Sequence, residues 1–397
     1  VALHDRQAEQ CVTDCAAYLV DFHAGIIRVA HVKVVAMNRV GKAIAACALV
    51  CTASGCAAPY YFQAIGGQLE LLRKREPIED VIADPAADPT LKSTLARVET
   101  MRRFAVDELE LPSNDSYTTY VALDRPYVVW NVVATEEFSV DPQRWCFPFA
   151  GCVAYRGYFD KARADRFAAK LAEDGLDTSS GGSTAYSTLG YFDDPVLSTM
   201  VAGGDQYVAS LLFHELAHQR LYVKSDSEFS EAFAMVVEEI GTERWLSEHG
   251  TPADLERYRT RRQRREQFGE LIAAQQARLR ALYASGAPPE QLREDKQLAF
   301  DTLRREYEAL KTSWQGNTDY DAWFAQPLNN ATLASVATYT RWLPAMRARL
   351  DEVGLSAFYA DAAAVAKLDA EEREAKLRAW AAKASAPGPD RDVSASG

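Results

Sequence analysis

Positive charge is in deficit: 44 Lys and Arg stand against 56 Asp and Glu in 397 residues, a net charge of -12. A phosphate backbone would meet a repulsive average field, so nucleic acid is not an expected partner. Long apolar runs are also missing. The longest begins after Lys42 and is broken by Thr52, Ser54 and Gly55, short of the roughly 18 residues a spanning helix needs. With only 16 Pro and 21 Gly, collagen-like and low-complexity chains are excluded. What is there is globular, 48% hydrophobic and 25% charged, and long enough to bury a sizeable core.

The amino-terminal part reads as an address. Met37-Asn38-Arg39-Val40-Gly41-Lys42 is a basic start, Ala43 to Val50 a short apolar core, and Ala53-Ser54-Gly55-Cys56 a small-residue processing point. A cysteine directly after three small residues resembles the lipobox of bacterial lipoproteins, although Ala53 stands where that box prefers leucine. The resemblance implies that Cys56 is acylated, anchoring the chain to the membrane on its periplasmic side, and Ala57 after it favours the outer membrane. Residues 1–36 then form an upstream extension and residues 37–55 the signal peptide. Of the 7 cysteines, Cys146 and Cys152 remain, an even number in an oxidising compartment, which suggests one disulfide.

Residues 56–250 are expected to hold the β-structure and the chemistry. Leu69, Leu71, Leu72, Ile78, Val81, Ile82, Leu91, Leu95 and Val98 follow helical spacing, interrupted at Pro85 and Pro89. From Tyr117 to Tyr158, short β-branched and aromatic runs bounded by prolines predict strands. A helix is expected over Asp160–Glu173 and a further strand over Gly181–Gly190. Residues 251–383 are helical, with a long hairpin over Pro252–Trp314 that turns at Gly286-Ala287-Pro288-Pro289. Arg257, Arg259, Arg261, Arg262, Arg264 and Arg265 read as a solvated face of its first helix. Residues 384–397 are expected to be a disordered tail.

The chemistry is carried by Phe213-His214-Glu215-Leu216-Ala217-His218. Four residues apart on a helix, His214 and His218 face one way a turn apart and can bind one metal ion. Glu215 points beside them, where it can take a proton from water. With 6 His in the chain, this HExxH would arise by chance roughly 0.01 times. A catalytic zinc wants three protein ligands and an open position.

Ser227-Glu228-Phe229-Ser230-Glu231-Ala232-Phe233-Ala234 resembles the Asn-Glu-Gly-Phe-Ala pattern of gluzincin aminopeptidases, whose glutamate is the third ligand. The resemblance gives that role to Glu231, with Ser230 where the pattern has asparagine. Glu228 and Glu238 lie at helical spacings from it and are rivals. Glu238 is otherwise a hydrogen-bond partner for a ligating histidine, or an anchor for a substrate ammonium group. The interval from His218 to Glu231 demands a tight turn, for which Ser225-Asp226-Ser227 are suited.

The runs Gly67–Leu72, Tyr127–Ala134, Phe147–Phe159 and Ala185–Pro195 are similar to the aminopeptidase family of bacterial lipoproteins, over about Cys56 to Leu377. That resemblance implies a zinc metallopeptidase, with one Zn²⁺, a peptide substrate and Glu215 as general base. For the oxyanion, Tyr186 and Tyr191 are candidate donors because zincins commonly border the cleft with a strand before the zinc helix, and Tyr339 because it lies downstream as in large aminopeptidases. The expected fold is α+β and helix-rich: a zincin-like domain with a small sheet and a long helical hairpin. A hydrolase of cell-wall peptide amides and a helical binding module with a non-catalytic zinc site are the competing readings; oligomeric state is left open.

Overall fold

The computed structural model describes residues 58–147 and 151–384, and of residues 58, 337–340 and 384 only the backbone. The extension, the signal peptide, Cys56 and the tail beyond residue 384 lie outside the described residues. Two units divide the chain at residues 66 and 67. The described part of the first is the start of one helix, α1 (Ala58–Arg73).

The fold is α+β and helix-rich. β1 (Glu76–Pro77) leads into α2 (Ile78–Ala83) and α3 (Pro89–Asp107). Proline at the first position of α3 costs no hydrogen bond, and Asp88 caps the helix by accepting from the Leu91 N–H at 2.9 Å. Three small sheets follow. β2 (Thr119–Val121) pairs antiparallel with β1 and parallel with β8 (Val196–Leu197). β3 (Val129–Thr135) is the centre of a second sheet, antiparallel to β6 (Arg156–Tyr158) on one side and β7 (Asp177–Ser183) on the other. α4 (Lys161–Glu173), capped by Asp160, packs over β3 and β7. β4 (Trp145–Phe147) and β5 (Gly151–Val153) make a hairpin closed by a Cys146–Cys152 disulfide.

One strand differs from expectation. The strand placed over Gly181–Gly190 is β7, four residues earlier, and it ends at Ser183. Past it the backbone leaves the β region, with Leu189 at φ 56° and Gly190 at φ 80°, because Asp194 draws the segment into a loop. Its carboxylate accepts from the Thr188 N–H at 2.8 Å and the Thr188 hydroxyl at 2.9 Å. A hydrogen bond to a residue six positions on leaves no trace in local alternation.

From α5 (Ser198–Val201) onward every described element is helical. α6 (Asp205–Arg220) and α7 (Ser227–His249) form the central pair. Val208, Leu212, Phe213 and Leu216 of α6 meet Phe229, Phe233, Val236 and Val237 of α7 in the main core. Gly241 lets α7 come close, since a Cβ there would stand 2.9 Å from the Phe213 ring.

The turn between these helices is braced from outside. Ser225 is at φ 66°, and Asp226 caps α7 by accepting from Phe229 N–H at 3.0 Å. Ser225 Oγ accepts from the Cys152 N–H at 3.0 Å, and the Arg144 guanidinium donates to the Ser225 and Cys152 carbonyls. Gly151, at φ 74°, permits this approach: a Cβ there would be 2.6 Å from Ser225 Oγ. The disulfide hairpin thus holds the turn that spaces α6 from α7.

α8 (Pro252–Tyr283) and α9 (Pro289–Ser313) form the expected hairpin, with a Thr251/Asp254 capping box at its start. Its apolar faces join in a second cluster around Phe268, Ile272, Leu279, Phe300, Leu303 and Tyr307. The arginine run is not a freely solvated face. Arg259 and Arg262 pair with Glu243 of α7, Arg264 with Asp319, and Arg265 with Glu238 and Glu239. α10 (Asp321–Ala325), α11 (Asn330–Thr340), α12 (Leu343–Val353), α13 (Leu355–Ala366) and α14 (Ala370–Ala384) complete the chain.

Candidate functional site

α6 carries His214 and His218 on the side that faces α7, and their ring centroids are 4.8 Å apart. Glu231, one turn into α7, points back at both. His214 Nε2 lies 3.2 Å from His218 Nε2 and 3.3 Å from Glu231 Oε2, and His218 Nε2 lies 3.5 Å from the same oxygen. All three side chains are largely buried, at 12%, 6% and 13% exposure. These separations answer the question of whether a metal fits. A tetrahedral zinc with ligand distances near 2.0–2.1 Å has donor-to-donor edges of about 3.3 Å. The three atoms have the spacing of one face of such a tetrahedron.

Glu238 lies outside this cluster of candidate ligand atoms. Its Oε2 lies 3.1 Å from His214 Nδ1 and its Oε1 accepts from Arg265 at 3.3 Å. A carboxylate behind Nδ1 favours a proton on that nitrogen, so that His214, once neutral, offers the lone pair of Nε2. Glu228 is drawn away by Arg341 at 2.6 Å. Burial disfavours charge on His214, but Glu231 and Glu238 outweigh it and raise its pKa well above the histidine range. Burial likewise works against the Glu231 carboxylate, yet the charges of His218 and His214 hold its pKa far below the usual value. Nδ1 of His218 is buried and makes no hydrogen bond among the described residues.

The family model described as "Putative aminopeptidase" matches residues 59–377, more than half of the chain and the whole of the cluster. The chain belongs to this aminopeptidase family. No curated protein and no solved structure matches it.

In an aminopeptidase the remaining groups around the cluster take on meaning. Glu215, next to His214, makes no hydrogen bond among the described residues; its charge is felt by Tyr117 and Asp194. Tyr117 is 1% exposed, its hydroxyl has no hydrogen-bond partner among the described residues, and its backbone sits at φ 63°. A bulky residue held there is strained, and such strain concentrates at working sites. Burial first, then Glu215 and Asp194, push its phenol well above the usual tyrosine range.

The expected oxyanion donors fare differently. Tyr186 packs edge-on to Phe159 with centroids 5.1 Å apart, and burial beside Asp194 raises it to about 12, so it stays a proton donor. Tyr191 is 56% exposed on the Asp194 loop. Tyr339 lies on α11, its side chain outside the described residues. Tyr222 was not singled out by the sequence, yet its ring lies edge-on to His218 at 6.0 Å, and burial and the Glu231 charge raise its phenol. The signal for it was available, since Tyr222 follows His218 by four positions, but α6 ends at Arg220 and helical periodicity stops there.

Asp194, 2% exposed, is raised to about 6, first by burial and further by Glu215, against the Thr188 hydrogen bonds that lower it. An acid with a raised folded pKa holds its proton more tightly when folded, so stability is lost as pH rises from about 4 to about 6. A shift of about two units corresponds to about 3 kcal/mol. Asn in its place keeps an acceptor for the Thr188 N–H and carries no charge. Asp194→Asn is therefore expected to be more stable than wild type at pH 7 by up to about 3 kcal/mol, the advantage vanishing by pH 4. Urea denaturation at pH 4, 5, 6 and 7 measures this; parallel curves would refute it.

Proposed function

We propose that the protein is a zinc-dependent aminopeptidase, lipid-anchored through Cys56 and facing the periplasm from the outer membrane. The observation that carries the reading is the His214, His218 and Glu231 triangle, with donor separations of 3.2, 3.3 and 3.5 Å and a carboxylate behind His214. A zinc ion bound there would activate water and polarise the scissile carbonyl. Glu215 then takes the proton of the attacking water and passes it to the leaving amine. Glu238 keeps His214 in the tautomer that offers Nε2. Tyr222, nearest a ligand, and Tyr186 supply candidate O–H donors for the developing oxyanion. Location is supported by the lipobox residues before Cys56 and by the disulfide, a bond kept in oxidising compartments.

Metal analysis and a peptide panel test the reading together. Wild type is expected to hold one zinc and to cleave peptides with a free amino terminus faster than their amino-blocked counterparts, and His214→Ala to lose both metal and cleavage. Cleavage of blocked and free peptides alike would make it an endopeptidase. Zinc with no cleavage would favour a cell-wall amide or a binding role, and wild type without zinc would overturn the proposal. Radiolabelled fatty acid incorporation that survives Cys56→Ala would overturn the anchor.

A further inference from the structure

The hairpin helices α8 and α9 carry no ligand, yet α8 reaches the site through one side chain. We infer that Arg265 is the positioning residue that fixes Glu238 against His214 and keeps Glu238 off the metal; the inference rests on the zinc reading above. Glu238 follows Glu231 by seven residues, two turns of α7 at about 100° per residue, so both carboxylates project from nearly the same face. Spacing alone makes Glu238 a rival ligand. What distinguishes the two is the partner on each oxygen.

Arg265 NH1 donates to Glu238 Oε1 at 3.3 Å while NH2 donates to Glu239 Oε1 at 2.8 Å. One guanidinium thus spans two neighbouring carboxylates of α7, a use of the planar fork that an ammonium cannot copy in full. With Oε1 held, Oε2 is presented to His214 Nδ1 at 3.1 Å. Arg265 is itself held in place. Glu239, 4% exposed, receives Arg347 of α12 on its other oxygen at 2.7 and 3.0 Å, and Arg347 also meets Glu266, next to Arg265, at 2.9 Å.

The chain of contacts therefore runs from His214 through Glu238, Arg265 and Glu239 to Arg347, and joins α6, α7, α8 and α12. Without Arg265, Glu238 Oε1 has no partner among the described residues and its carboxylate is free to turn. It can then compete with Glu231 for the metal, and His214 loses the acceptor that orients its ring. Partners behind a ligating histidine typically contribute 10- to 100-fold in metal affinity.

The test is zinc affinity by chelator competition, together with the visible spectrum of the cobalt-substituted full chain. The set is wild type, Arg265→Gln, Arg265→Lys, Glu238→Gln and the Arg265→Gln/Glu238→Gln double variant. Arg265→Gln is expected to weaken zinc binding about 10-fold and to change the cobalt spectrum, which reports the ligands and not the fold. Arg265→Lys keeps the charge and is expected to recover most of that affinity. The double variant is expected to bind no more weakly than Glu238→Gln alone, because Arg265 acts through Glu238.

Wild-type affinity and spectrum in Arg265→Gln would overturn the inference. So would additive losses in the double variant, or a Lys variant no better than Gln. Wild type without zinc overturns the proposed function as well, whereas zinc-bound wild type with an unaffected Arg265→Gln overturns this inference alone.

Discussion

Glu215→Gln is expected to keep one zinc per chain and to lose peptide hydrolysis by roughly 10²- to 10⁴-fold, the usual contribution of a general base. The substitution is close to isosteric. Glu215 makes no hydrogen bond among the described residues, so the exchange breaks none of those around it, and the three atoms that form the metal face belong to His214, His218 and Glu231. The carboxamide cannot accept the proton of the attacking water, so the loss falls on kcat while zinc content stays at the wild-type level. Zinc loss in this variant would mean that Glu215 holds the site together. Full activity would mean that another group accepts the proton, and Asp194, a buried carboxylate that feels the Glu215 charge, would be the first to examine.

The second large effect concerns stability. Glu239→Ala is expected to cost about 3 kcal/mol in urea denaturation at pH 7. Glu239 is 4% exposed and lies between Arg265 and Arg347, which are 32% and 28% exposed. Removing one member of a buried charge cluster leaves the others without compensation, typically at 3–5 kcal/mol. The low end is expected here because both guanidinium groups retain some contact with water. A loss under about 1 kcal/mol would show that they are hydrated once released. The variant also separates two roles of Arg265, since it removes the Glu239 arm and leaves the Glu238 arm in place.

What was legible in the sequence was what is local along the chain. His214 and His218 lie on one face because four residues make a turn, and Glu231 stands in a local pattern on the next helix. The hairpin was legible from its Gly-Pro-Pro turn and apolar spacing. Glu238 was ambiguous for a physical reason: a seven-residue interval returns it to the face of Glu231, and only partners from other helices tell ligand from support. Arg265 was one of six arginines in a run read as solvated, and nothing in its neighbours marks it as the one that reaches Glu238. Tyr117 read as an ordinary strand residue. Its N–H donates to the Asp194 carbonyl at 2.6 Å and its phenol feels the charges of Glu215 and Asp194, both more than 70 positions away. The strand over Gly181–Gly190 overshot for the same kind of reason, because alternation cannot register the pull of Asp194 on Thr188.

The brace on Ser225 ends in a covalent bond. The turn that spaces the helices carrying His214, His218 and Glu231 is held by the backbone of Cys152, and Cys152 is held in its hairpin by a bond to Cys146. A reducing cytosol does not keep such a bond. A chain folded there has both histidines and Glu231 in sequence but lacks the tie that fixes their spacing. Preparations made in a reducing host therefore begin one covalent step short of the protein described above.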